Sequence, residues 1–266
     1  MPTRVAGALV ALALGFSSLI AGAAEAAWWK PRAGLTFSII LSVAPATIET
    51  PARVVDVDLF EIRKQTVADL KAQRKRAVCY MSAGSWENWR SDKNDFPPEV
   101  IGKPYDGWPG ERWLDISNIA ALAPVMRARL DRCKQKGFDA VDPDNLDGYE
   151  NDTGFPLTRS DAIRYVRFLA REAHKRGLAI GLKNVPELSR LVLDNVDFAV
   201  TEDCFDQGWC RASRNFIAAG KPVFAIEYTD NAINFGGFCR QSANVGLSPI
   251  YKRRNLGVWE KRCPGM

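Results

Sequence analysis

Residues 157–184 read LTRSDAIRYVRFLAREAHKRGLAIGLKN. A helical pattern closes on basic residues and Gly177, a short apolar strand follows, and that strand ends on Lys183 and Asn184. Glycine after a cationic turn is a helix-stop signal, because left-handed backbone is cheap for glycine and cations suit the negative end of the helix dipole. The same order recurs on either side. RLDRCKQKG closes on Gly137 and runs into FDAVDPDN, and RNFIAAGK passes Gly220 into PVFAIEY. Helix-then-strand repetition at this spacing predicts parallel βα units.

Strand patterns occur at 36–42, 54–60, 77–82, 138–144, 178–184, 198–202, 223–228 and 247–252. Eight of them within residues 27–266 predict an α/β fold of the (β/α)8 TIM-barrel type in a single domain. No G-x-G-x-x-G follows the early strands, which argues against a doubly wound open sheet. Residues 108–117, WPGERWLDIS, read as an irregular insertion with a short extra strand. Side-chain alternation then sorts each strand into helix-facing and axis-facing residues. It sends Val55, Val57 and Leu59 outward and leaves Asp56 and Asp58 inside. Ala140, Asp142, Asp144, Ala179, Gly181 and Lys183 also fall on the axis side. The same rule applied to 223–228 puts Phe224 and Ile226 outward, with Ala225 and Glu227 inward.

The polar strand ends therefore converge on one mouth, the place where barrel active sites form. Asp58, Asp142, Asp144, Lys183, Glu202 and Glu227 form the expected ring, with Tyr80 and Asn184 beside it. GFDAVDPDNLDGY, residues 137–149, crowds Asp142, Asp144 and Asp147 together, and like charges at such spacing raise one another's pKa. Carboxylates split by one cation can leave one protonated and one ionised, which is the requirement for cleaving a glycosidic bond. Tyr80, Trp86, Trp89, Trp108, Tyr149, Trp209 and Tyr228 add flat rings suited to sugar faces or a cationic ligand. A calcium loop starting at Asp142 fails, since Leu146 and Thr153 would fall at its fifth and twelfth positions.

His174 is the single histidine. It excludes multi-histidine metal sites and disfavours a Ser-His-Asp triad, and near a helix end it reads as a surface or dipole-compensating residue. Six cysteines pair most economically as neighbours: Cys204 with Cys210, Cys239 with Cys263, and Cys79 with Cys133. No C-x-x-C pair is present, so no metal is expected, and nothing in the pattern calls for a cofactor. Residues 1–26 carry Arg4, an apolar run and Ala24-Glu25-Ala26, the plan of a signal peptide cut after Ala26. No later run is long enough to span a bilayer. The expectation is a secreted or periplasmic monomer without stable membrane insertion. The net charge of +5 has no dense basic block beyond RKR at 74–76 and KRR at 252–254, so nucleic acid is not an expected partner.

Taken in order, CYMSAGSWENWR (79–90), GWPGERWLDI (107–116), GFDAVDPDNLDGY, LTRSDAIRYVRFLAREAHKRGLAIGLKN, TEDCF (201–205) and GKPVFAIEY (220–228) resemble glycoside hydrolase family 114. Those proteins are endo-α-1,4-polygalactosaminidases built on a (β/α)8 barrel. The resemblance implies hydrolysis of α-1,4-linked galactosamine in a cationic amino-sugar polysaccharide. It also implies a catalytic pair of Asp144, in the PDN motif, and Glu202, after the sixth strand. The substrate-binding set is then Asp58, Tyr80, Asp142, Lys183, Asn184 and Glu227. The first strand departs from the family pattern, since LTFSIILS offers Phe37 and Ser38 as a smaller, less polar wall where Trp and Gln are usual. Two other readings remain open from the residues: a non-catalytic polysaccharide-binding barrel, and a metal-dependent hydrolase that chelation would reveal.

Overall fold

The computed structural model describes residues 1–3, 27–42 and 46–265. The expected leader lies outside them apart from its first three residues. The stretch 157–184 folds as its pattern predicts. Thr158 and Asp161 form a reciprocal capping box at the start of helix Arg159–Lys175, so each side chain satisfies the other's free backbone N–H. The chain leaves that helix through Gly177 at φ 69° and enters strand Ala179–Lys183.

Eight parallel strands follow one another around the barrel: β1 (Phe37–Ile40), β2 (Val54–Asp58), β3 (Arg76–Ser82), β4 (Ala140–Asp144), β5 (Ala179–Lys183), β6 (Phe198–Glu202), β7 (Val223–Tyr228) and β8 (Ser248–Lys252). Each pairs with its sequence neighbour, which is the (β/α)8 architecture. Helices α1 (Lys64–Ala72), α2 (Ile119–Lys136), α3 (Arg159–Lys175), α4 (Ser189–Val192), α5 (Arg214–Ala218) and α6 (Phe235–Val245) follow β2 to β7 in turn. Between β8 and β1 the seam is closed by the C-terminal segment. Glu260–Lys261 pairs antiparallel with β8, while the Glu260 carboxylate accepts from Ser38 Oγ and Arg262 donates to the Phe37 carbonyl.

Two apolar layers result. Val55, Val57, Cys79, Met81, Val141, Ile180 and Leu182 face the helices, and Phe37, Val54, Val78, Ala179, Phe198 and Phe224 fill the lower barrel axis. Gly181 also faces inward, where an added Cβ would lie 2.5 Å from the Phe198 ring, so the strand crossing needs a residue without one. Phe37 stacks on Phe224 with centroids 4.4 Å apart. Phe37 is therefore a plug in the lower barrel, and Ser38 serves the seam; neither forms the wall of the mouth expected of them.

One strand reverses its expected parity. Phe224, Ile226 and Tyr228 of β7 point to the axis, while Ala225 packs in the helix-facing layer. Glu227 shares that outward side. Phe, Ala and Ile are equally at home on either face of a strand buried on both sides, so alternation carries no orientation there. The 108–117 insertion is larger than expected: Ser85–Glu87, Ile101–Pro104 and Glu111–Leu114 form a three-stranded antiparallel sheet over the end of β3.

Three disulfides form as spacing suggested. Cys79, on the outer side of β3, joins Cys133 of α2, Cys204 joins Cys210, and Cys239 of α6 joins Cys263 of the tail. Constraining the unfolded chain in this way contributes typically about 2–4 kcal/mol per bridge. His174 is not the surface residue expected. Its ring stacks on Trp28 at 3.8 Å, and Nε2 lies 2.8 Å from Asp197 Oδ2, so it clasps the segment before β1 to the N-terminal end of the barrel. Trp28 and Lys30 also donate to that carboxylate. Among the described residues no helix is long and apolar enough to cross a membrane.

Candidate active site

At the C-terminal ends of β3 to β6, four polar side chains converge on one ammonium group. Lys183 Nζ lies 3.2 Å from Asp144 Oδ2, 3.4 Å from Glu202 Oε2 and 3.7 Å from Asp142 Oδ2. It also sits 4.8 Å from the centroid of the Tyr80 ring. The Lys183 side chain is 1% exposed, whereas Asp144 and Glu202 keep 17% and 19% of their surface open to the mouth. The ammonium is thus an internal post, with the two carboxylates above it reachable by a ligand.

Donors hold both of those carboxylates. Tyr80 donates its hydroxyl to Asp144 Oδ2 at 2.9 Å, and the Asn145 N–H donates to Oδ1 at 2.9 Å. Glu202 receives the Tyr228 hydroxyl on Oε1 and the Asn184 amide on Oε2 at 2.9 Å. Burial alone would push the Glu202 carboxyl up, but Lys183, Tyr228 and Asn184 together bring it below its ordinary value. Lys183 shows the reverse balance. Burial pushes it down, and Asp144, Glu202, Asp142 and Asp56 outweigh that, so it stays firmly cationic. Burial, then the neighbouring charge of Asp144 or Glu202, pushes Tyr80 and Tyr228 well above the usual phenol range, which keeps them as donors.

The backbone aims these groups by a repeated device. Asn145, Asn184 and Asp203 have φ of 63°, 55° and 56°, and each directly follows Asp144, Lys183 or Glu202. Left-handed backbone turns the chain sharply away from the strand, and Asn and Asp are the non-glycine residues that tolerate it best. Asn145 is further pinned by donating to Ser82 Oγ and Ser85 Oγ, both at 3.0 Å. The pairs Asp-Asn, Lys-Asn and Glu-Asp at three consecutive strand ends were a readable sign of this device.

The structure gathers Asp142, Asp144, Lys183, Asn184, Glu202 and Tyr80 as expected, and separates two others from them. Glu227 is fully buried on the outer side of β7, where its carboxylate accepts from the N–H groups of Phe205 at 2.7 Å and Asp206 at 3.3 Å. It supports the loop after Glu202 and cannot reach the mouth. Asp58 is engaged by Arg90, with bonds of 2.9 and 2.6 Å, and by the N–H groups of Phe60 and Glu61. Its oxygens anchor the insertion and are not free for a ligand. Tyr228 takes the place on β7 that parity had given to Glu227. Asp56, fully buried below Asp142, is a further group absent from the expected set.

Around the rim, Trp89 and Trp108 are 50% and 55% exposed on the segment between β3 and α2, and Trp259 is 36% exposed beyond β8. Exposed indole rings offer flat apolar faces of the kind that pack on sugar rings. Among the described residues, Cys204, Cys210 and Glu227 alone place three donor atoms at metal-binding separation, and the two sulfurs are joined in a disulfide. A cavity of about 590 Å³, lined by Lys30, Arg32, Asp194, Asp197 and Lys221, lies at the other end of the barrel, where Asp197 is taken up by Trp28, Lys30 and His174.

The sequence model described as glycoside-hydrolase family GH114 matches residues 19–266. The crystal structure of Aspergillus fumigatus Ega3 in complex with galactosamine is 39% identical, covering 91% of this chain and 100% of that one with a TM-score of 0.83. The glycoside hydrolase domain of PelA from Pseudomonas aeruginosa, 14% identical with a TM-score of 0.68, covers 85% of this chain and 97% of its own and shares the fold. A Deinococcus radiodurans protein described as uncharacterized is 25% identical over 209 residues, 70% of this chain. The chain spans 66% of that relative's length.

Proposed function

This chain belongs to glycoside-hydrolase family GH114, and from that premise we propose that it is an exported endo-acting hydrolase of α-1,4-linked galactosamine polysaccharide, with Asp144 and Glu202 as its catalytic pair. The observation that carries the assignment is the convergence of both carboxylates, open to the mouth, on the buried Lys183 ammonium. Galactosamine bound to the similar Ega3 supports the sugar, and a mouth with more carboxylates than cations suits a substrate carrying ammonium groups. The rim tryptophans support binding of several units at once. Three disulfides and the leader-like N-terminus support export to an oxidising compartment.

The separation of the pair favours retention of configuration. Oxygens held at 3.2 and 3.4 Å from one nitrogen are at most about 6.6 Å apart, whereas inverting pairs stand roughly 6.5–9.5 Å apart to admit a water. One carboxylate then attacks the anomeric carbon while the other, protonated, gives its proton to the departing glycosidic oxygen. Water subsequently cleaves the glycosyl-enzyme, and the second group takes back the proton. Tyr80, Tyr228 and Asn184 hold the pair in place, and Lys183 stabilises the negative charge that remains.

The test is incubation of the mature protein with deacetylated α-1,4-polygalactosamine. Expected are new reducing ends from internal cuts, with the α-anomer appearing first by proton NMR. Binding without cuts would refute the enzyme reading, and first appearance of the β-anomer would refute retention. Azide separates the two roles. A variant lacking the nucleophile yields a β-glycosyl azide, and one lacking the acid/base group yields the α-azide.

A further inference from the structure

Below the catalytic pair lie two carboxyl groups that no donor satisfies. Asp56 and Asp142 are each 0% exposed, and none of their four oxygens accepts a hydrogen bond from any N–H or O–H group among the described residues. Both project to the barrel axis, Asp56 from β2 and Asp142 from β4, where each is a neighbouring charge to the other. Asp142 has Lys183 Nζ at 3.7 Å, and Asp56 has no ion-pair partner among the described residues. Asp58, on the same strand, is committed to Arg90.

We propose that Asp56 and Asp142 share one proton, and that this pair is the counter-charge that seats Lys183 between Asp144 and Glu202. Two adjacent carboxylates buried without a donor cannot both stay ionised, because each lacks solvation and each repels the other. A proton on one supplies the missing donor, and the other then keeps a single negative charge toward the ammonium. The groups facing Asp56 agree with that arrangement. β1 presents only Phe37 and Ile39, β3 presents Tyr80, β4 Asp142 and Asp144, β5 Lys183 and β6 Glu202. β7 and β8 present Tyr228 and Lys252, whose polar atoms are bonded to Glu202 and to the Gly257 carbonyl. Burial and then the Asp142 charge push the Asp56 carboxyl well above its ordinary range, while Asp142, raised chiefly by burial and opposed by Lys183, stands at about 6. Asp56 is thus a positioning residue that acts through Asp142 and Lys183.

The proposal rests on Asp144 and Glu202 being the catalytic pair, and its two decisive tests do not use turnover. The first is infrared spectroscopy near pH 8.5, where Glu111 and Glu227, pushed up to about 7 chiefly by burial, are ionised. A protonated-carboxyl C=O band is expected there in wild type, shifted on deuteration and absent in Asp56→Asn. Absence of the band from wild type, or its persistence in the variant, overturns the proposal. The second is linkage. A carboxyl raised on folding weakens the fold as pH climbs from its unfolded pKa of about 4, and an amide does not. The melting temperature of Asp56→Asn relative to wild type should therefore rise between roughly pH 5 and pH 8; a flat difference refutes the shared proton. For the effect on catalysis, Asp56→Val cannot donate to Asp142, whereas Asp56→Asn can. Valine should lower kcat at least tenfold more than asparagine does, with KM little affected, and equal losses would remove Asp56 from its positioning role.

Discussion

Replacing Lys183 by methionine removes one charge from the centre of the site while keeping a long unbranched side chain in a fully buried slot. Opposite charges at these separations attract by about 5 kcal/mol at an effective dielectric of about 20, and one pKa unit corresponds to about 1.4 kcal/mol. Even after compensation by the remaining donors, loss of the ammonium should raise the Glu202 carboxyl by at least about one unit. Its sign is set by what now lowers it: with Lys183 gone, burial pushes upward and only Tyr228 and Asn184 remain to oppose it. The limb of kcat/KM governed by Glu202 should move to higher pH by that amount. At the wild-type optimum kcat should fall by roughly 100-fold, the scale of losing one preorganised electrostatic contact. Stability gives an independent check. A depressed Glu202 stabilises the native state above its unfolded pKa of about 4.3, and that contribution is lost as pH falls through the folded value. The melting temperature deficit of Lys183→Met should therefore be wide near pH 7 and narrow toward roughly pH 4. An unmoved pH profile of kcat/KM together with a constant deficit would falsify the role given to Lys183.

Asp144→Asn and Glu202→Gln should each lower kcat by several orders of magnitude with an intact melt and smaller changes in KM, as expected when transition-state stabilisation is lost; near-wild-type turnover in either removes it from the pair. Glu227→Gln keeps an acceptor for the Phe205 N–H and should leave KM for polygalactosamine within about threefold, since it lies outside the mouth; a large rise in KM would restore it as a substrate contact. Asp58→Asn breaks a buried bidentate pair with Arg90 and should cost about 3 kcal/mol in denaturant unfolding, less if Glu87 at 2.8 Å holds the guanidinium. A titration of thiols in denatured, unreduced protein should find none, and two or more would contradict the three bridges.

Much of the barrel was legible because local physics decides it. Gly137, Gly177 and Gly220 adopt the left-handed backbone that their place after basic helix ends implies. Asp56, Asp142 and Lys183 each interrupt an apolar run, so in β2, β4 and β5 the polar residue itself revealed which face meets the axis. In β7 the one such mark, Glu227, misled because a buried carboxylate can equally be satisfied by a neighbouring loop, here the N–H groups of Phe205 and Asp206. Asp58 looked free in sequence, since the Arg90 that claims it arrives only through the folding of the insertion after β3. His174 looked solvated until Trp28 and Asp197, distant in the chain, closed on it. The sequence by itself thus determined the succession of strands and helices and the cysteine pairing, both consequences of local pattern and spacing, while Asp144 and Glu202 were singled out by the resemblance of their motifs to the family. Tertiary structure alone decided which carboxylates stay free and which are spent on arginine or backbone, because that depends on partners brought from elsewhere to within about 3 Å. It also placed one buried ammonium among Asp142, Asp144 and Glu202, where burial and that charge oppose each other, leaving Asp142 raised and Glu202 lowered.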